Sequence, residues 1–129
     1  MFLKVLATLL AVFLALTSAG LAGGWVDADA NRKDVQDALQ FAVAQHNKAS
    51  NDMFVSQVSR VIKVQTQVVS GINYRFTVEM VRTACRKADV KEVCAAHPDE
   101  SIAKPHECQI KVYNQSWTNT IKVTKNTCQ

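Results

Sequence analysis

Gln67-Val68-Val69-Ser70-Gly71 separates two runs that read as β-strands, and the second run decides the fold. From residue 72 to 84 the chain alternates. Ile72, Tyr74, Phe76, Val78 and Met80 fall on one side, with Asn73, Arg75, Thr77 and Glu79 on the other. Such alternation marks a strand with one buried face. The preceding run, 54–66, carries Val55, Val58, Val61, Ile62 and Val64. A Ser-Gly pair between two such runs signals a hairpin, because glycine supplies the positive φ that a tight turn needs. A strand pair with one apolar face must be covered by another element.

Residues 31–48 are long enough to cover it. Val35, Ala38, Leu39, Ala42 and His46 recur at helical spacing, widened by Phe41 and Val43, and Gln36, Gln40, Gln45 and Lys48 fill the opposite face. Asn31 is the expected N-cap, with Asp34 three residues on. His46 reads as a helix-flank residue. Ala49-Ser50-Asn51-Asp52 ends the helix, since these short polar side chains favour turns. The expected class is α+β, one helix laid across an antiparallel sheet.

Further along, 108–114 and 120–127 read as a second hairpin. Cys108, Ile110 and Val112 face inward on the first strand, and Ile121 and Val123 on the second. The connecting loop, 115–119, carries Trp117 at its tip, where an aromatic suits a contact with a partner. The stretch 86–107 holds both prolines and reads as an irregular connection, with a turn of helix near Val90–Cys94.

The N-terminus is organised differently. A short basic start, an apolar run from Val5 to Leu16 broken only by Thr8, and small residues at 17–20 have the layout of a secretory signal peptide. The run is too short for a comfortable transmembrane span. The expected division is a signal peptide at 1–19 and one domain at 20–129, secreted and without a membrane anchor; cleavage one residue later also fits the small residues. Losing Lys4 lowers the formal net charge from +4 to +3. The basic residues are scattered, so a nucleic-acid partner is not expected. Leu21 to Trp25 is a glycine-containing leader. Trp25 either tucks onto the domain or meets a partner.

Cys85, Cys94, Cys108 and Cys128 are an even set behind a secretory signal, which points to two disulfides. Three pairings are open, the sequential one being the most local. No cysteine pair has zinc-ligand spacing and His46, His97 and His106 are not arranged as ligands, so no metal is expected. No nucleophile elbow, phosphate loop or paired carboxylates occur, so no catalytic residue and no cofactor is expected, and the chain reads as a binding protein. Asn114-Gln115-Ser116 is an N-glycosylation sequon, which makes Asn114 a candidate modification site.

These features together resemble the type 2, secreted cystatins, inhibitors of papain-like cysteine proteases, and most of all those of fish and egg white. The resemblance runs over essentially the whole chain. It rests on the signal, the leader glycine, Gln67-Val68-Val69-Ser70-Gly71 as the family's Q-x-V-x-G, the Trp117 loop and the four cysteines. The text around Ala38-Leu39-Gln40-Phe41-Ala42 and Asn47-Lys48-Ala49-Ser50-Asn51-Asp52 is also typical.

The resemblance implies the cystatin fold, a five-stranded antiparallel sheet wrapped around one long helix. It implies the pairs Cys85–Cys94 and Cys108–Cys128. It implies reversible, tight, non-covalent inhibition of papain-like proteases such as cathepsins, by a wedge that occludes the cleft. Carried over, Gly23 lets the leader bend, Leu21 and Ala22 enter the non-primed subsites, Gln67, Val68, Val69, Ser70 and Gly71 form the middle, and Trp117 rests on the primed side.

Two positions depart from the family. Ser116 stands where proline usually precedes the tryptophan, at an expected loss of about 1 kcal/mol or less of loop preorganisation. Trp25 stands where proline commonly follows the glycines. Ser50-Asn51-Asp52 matches a second site by which some cystatins inhibit legumain, with Asn51 entering that enzyme's specificity pocket. The rival reading is a non-inhibitory secreted module of the same fold, a carrier or host-defence protein.

Overall fold

The computed structural model describes residues 23–89 and 94–129. The expected signal segment 1–19, Leu21 and Ala22 lie outside the described residues. So do residues 90–93, on which most of the expected turn near Val90–Cys94 falls.

Strand β1 (Val26–Asp27) leads into helix α1 (Lys33–Ala49), and the hairpin of β2 (Phe54–Val69) and β3 (Gly71–Arg86) follows. A short helix α2 (Glu100–Ala103) precedes the second hairpin, β4 (His106–Gln115) and β5 (Thr120–Cys128). The strands make one antiparallel sheet in the order β1-β2-β3-β4-β5. This is the expected five-stranded cystatin fold, held by the disulfides Cys85–Cys94 and Cys108–Cys128.

The alternation of β3 does what the sequence requires. Tyr74, Phe76, Val78 and Met80 are sealed from solvent, together with Cys108, Ile110 and Val112 of β4 and Val35, Ala38 and Ala42 of α1. Tyr74 and Phe76 stack with ring centroids 6.2 Å apart. Burying each of the larger side chains contributes about 2 kcal/mol.

A polar tie helps fix the start of the helix on this face. Tyr74 Oη donates to Asp34 Oδ2 at 2.8 Å, and Arg32 Nε donates to Asp34 Oδ1 at 2.6 Å. The Arg32 hydrogen bond, helped by Tyr74, draws the Asp34 carboxyl down to about 2 against the opposing effect of burial. Burial first, and Asp34 second, push Tyr74 up to about 12.

Several boundaries differ from expectation. The helix starts at Lys33, and its N-cap is Arg32, which makes no side-chain cap. Asn31 is instead drawn into a turn, its backbone N–H donating to Asp29 Oδ1 at 2.9 Å. The hairpin loop at 67–71 is almost absent: pairing continues to Val69–Gly71, so Ser70 alone turns. Glycine at φ 120° permits this reversal. Ile121 lies on the inward face, as Val112 and Val123 do, but outside the packed core. It lies opposite Asn114 at the hairpin end, beyond the cover of α1, and is 37% exposed, whereas Val123 packs against the core. The stretch 86–107 is more ordered than its composition implies. Asp99 caps α2 through Ser101 N–H at 2.9 Å, and Thr83 bridges to Ala96.

His46 is half-buried where α1 meets β5, with its Nδ1 3.0 Å from Asn126 Nδ2. Burial, with His106 and Lys87 adding positive charge nearby, holds its pKa below 6.5, while Asn126 and Asp52 oppose the shift. A histidine with a lowered folded pKa contributes stability that is complete above 6.5 and is lost as pH falls through the folded value. Urea midpoints should therefore decline as pH falls below 6.5, and His46→Gln should flatten that decline. An unchanged slope in the variant would assign the acid sensitivity elsewhere.

Candidate functional site

With strands in sequence order, the β2–β3 and β4–β5 turns share one end of the sheet. There Val68, Val69, Gly71 and Ile72 face Asn114, Ser116 and Trp117 across a shallow groove of about 260 Å³. Val68 and Trp117 are each 69% exposed. The leader arrives at the same place. Gly23 has φ 58° and lies so close to the Val68 carbonyl that a Cβ would collide with it. Spacing alone did not join the leader to the two turns; the edge position of β1, where Val26 pairs with Thr66, does.

The tip is held from beneath by β4. The Ser70 carbonyl accepts from Tyr113 Oη and from Gln115 Nε2, the latter at 2.8 Å. Gln115 Oε1 in turn accepts from Thr118 Oγ1 at 2.8 Å, so one side chain joins the first turn to the second. The Trp117 loop closes as a 3₁₀ turn, Ser116–Thr118, followed by Asn119 at φ 53°. Gln67 Oε1 accepts from Asn73 Nδ2 at 3.1 Å across the hairpin. Tyr113 and Gln115 were not singled out from the sequence as supports of this tip. Gln115 read as a loop residue and the middle of a sequon, and neither pattern shows a partner more than 40 residues away.

Chemically this edge is uncharged, with exposed apolar side chains. Gln67 to Gly71 and Gln115 to Asn119 contain no ionisable side chain. The groups with displaced pKa values, such as Asp34, Tyr74, His46 and Asp52, belong to the helix packing and the far end of the sheet. His106, Cys108 and Cys128 come together, but both cysteines are in the disulfide and offer no thiolate to a metal.

Two candidate residues stand apart from the tip's apolar contacts. Asn114 is half-buried within β4 and borders the groove. Asn51 is exposed at the opposite end of the β2–β3 hairpin. Its loop is braced: Ser50 Oγ accepts from Asp52 N–H at 3.0 Å, Asp52 Oδ1 from Phe54 N–H at 3.1 Å, and the Ser50 carbonyl from Lys87 Nζ at 2.7 Å. Asp52 also pairs with Arg82.

A helix crossed by a five-stranded sheet, with an uncharged apolar edge at the hairpin end, defines a binding domain of the cystatin type. A family model of the cystatin domain matches residues 23–117. Cystatin from Oncorhynchus keta is 48% identical, over 98% of this chain and 97% of that protein. Cystatin-C from Paralichthys olivaceus is 46% identical, over 91% of this chain and 94% of its own length. The crystal structure of dimeric human cystatin F superposes with a TM-score of 0.72 at 25% identity, covering 83% of this chain and 86% of that one. The chain belongs to the cystatin family, whose members are cysteine protease inhibitors and not enzymes.

Gly71 leaves no room for a side chain at the tip. A Cβ there would stand 2.7 Å from the Asn114 carbonyl oxygen and 3.0 Å from Tyr113 Oη, on a backbone L-residues rarely adopt. Gly71→Ala should destabilise the protein by about 1–3 kcal/mol in urea unfolding. A loss within about 0.3 kcal/mol would mean that the tip relaxes freely.

Proposed function

We propose that this protein is a secreted, reversible, tight-binding inhibitor of papain-like cysteine proteases, cathepsins among them. It occludes their cleft without a covalent step. On this reading residues 1–19 are removed and residues 20–129 form the inhibitor domain. The observation that carries it is the convergence of Gly23, the Ser70 tip and Trp117 on one uncharged edge, with the tip carbonyl fixed by Tyr113 and Gln115. A loop already held in one conformation loses little freedom on binding, and a reversible inhibitor depends on that saving.

Leu21, Ala22 and Gly23 fill the non-primed side, Gln67 to Gly71 the middle, and Trp117 the primed side. Trp117 is the principal anchor, as an exposed aromatic on a rigid support. A non-inhibitory role would leave this intact edge without a use. A glycan on Asn114 would stand at the groove beside Trp117 and crowd the primed contact.

A second reading is favoured by the Asn51 loop. It is exposed, braced by Ser50, Asp52, Arg82 and Lys87, and placed at the far end of the hairpin. Such a loop can present Asn51 to legumain while the other end engages a papain-like enzyme.

Titration of active papain with protein expressed from the full chain and purified in processed form should abolish activity near equimolar ratio. No inhibition at about micromolar protein would overturn the reading. Trp117→Ala should weaken the complex by about tenfold or more. Asn51→Lys should abolish legumain inhibition while sparing papain. Loss of both would indicate misfolding, and retention of legumain inhibition would exclude the second site.

A further inference from the structure

Trp25 is not on the apolar edge, and inhibition as proposed does not use it. It follows Gly23 and Gly24 and immediately precedes β1. Its ring lies on the outward face of the sheet, with the Arg75 guanidinium carbon 4.2 Å from the ring centroid and Lys111 Nζ at 5.8 Å. Arg75 and Lys111 are directly opposed on β3 and β4. Like charges so placed repel, and an aromatic face between two cations attracts both.

Arg75 is itself fixed. Its Nε and Nη2 donate to Gln65 Oε1 at 2.9 and 2.5 Å, and Gln65 Nε2 donates to Asp27 Oδ1 at 3.4 Å. Trp25, Arg75, Gln65 and Asp27 therefore form a chain of contacts that leaves the N-terminal segment, crosses two strands and returns to β1. That segment needs the help. β1 pairs only at Val26–Thr66 and Asp27–Gln65 on the edge of the sheet, with one further bond from Ala28 N–H to the Val64 carbonyl. So short a pairing is weak alone.

We infer that Trp25 is a positioning residue: its stack on Arg75 and Lys111 latches the segment that carries the leader and holds Gly23 against Val68. The consequence for inhibition rests on the wedge reading above. A latched leader meets the protease already placed against Val68, and it comes off more slowly than a free one.

The latch is tested first in the free protein. Trp25→Ala should accelerate amide hydrogen exchange at Val26 and Ala28 roughly three- to tenfold, leaving the α1 and β3 core protected, and Trp25→Phe should restore most of the protection. Arg75→Gln should reproduce the effect. Unchanged exchange in Trp25→Ala overturns the latch whether or not the protein inhibits any protease. The second arm is the dissociation rate from papain. Trp25→Ala should raise it by a similar factor, and the increase should vanish in a variant that begins at Gly24, because the latch acts only through the leader. An equal increase without the leader would make Trp25 a direct contact or a general structural residue and would overturn the positioning role. If the parent protein fails to inhibit papain, the wedge reading falls, and the exchange measurements still decide the latch.

Discussion

The packing of one strand face against one helix underlies the rest of the molecule. Tyr74, Phe76, Val78 and Met80 occupy successive inward positions of β3 and meet Val35, Ala38 and Ala42. Because side chains alternate along a strand, a shift of one residue would expose all four at once. The register of β3 is therefore strongly determined, and β3 pairs with both β2 and β4. Placing β3 places Ser70 at the end of one neighbour and Asn114 to Trp117 at the end of the other. The Tyr74–Asp34 hydrogen bond ties the start of the helix to the same strand.

From that frame the edge acquires its shape by local hydrogen bonds. A turn of one residue leaves the Ser70 carbonyl in need of donors, and Tyr113 and Gln115 supply them. Gln115 also holds Thr118, so the two turns are not independent. This matters more because Ser116 stands where proline would stiffen the loop. The stiffness missing from the backbone is supplied in part by side-chain bonds across the groove. On the other flank, Trp25 is fixed by tertiary contacts to Arg75 and Lys111.

Much of the fold was legible because its signals are periodic. The helix, the two hairpins and the inward residues of β3 and β4 follow from spacings of 3.6 and 2. Some of the misses depended on a neighbour distant in sequence, and others on a local bond that competes with the expected one. Ile121 alternates correctly but lies where the helix gives no cover. Asn31 looks like a cap but is taken by Asp29. The loop at 67–71 is shorter than its turn-forming composition implies because β3 continues the ladder to Gly71. The prolines and charges of 86–107 hid a capped helical turn.

The sequence by itself determined the class of fold, the inward face, the glycine reversal at 71, the family, and an edge made of uncharged residues. These are local properties, set by side-chain type and by the conformations each residue allows. Only the tertiary structure decided that Gly23 lies on Val68, that Tyr113 and Gln115 hold Ser70, and that Trp25 folds back onto the outward face of the sheet. Each of those contacts joins different strands or the leader to the sheet. They exist because strand order and register bring distant residues within a few ångströms, and no local pattern in the chain records that proximity.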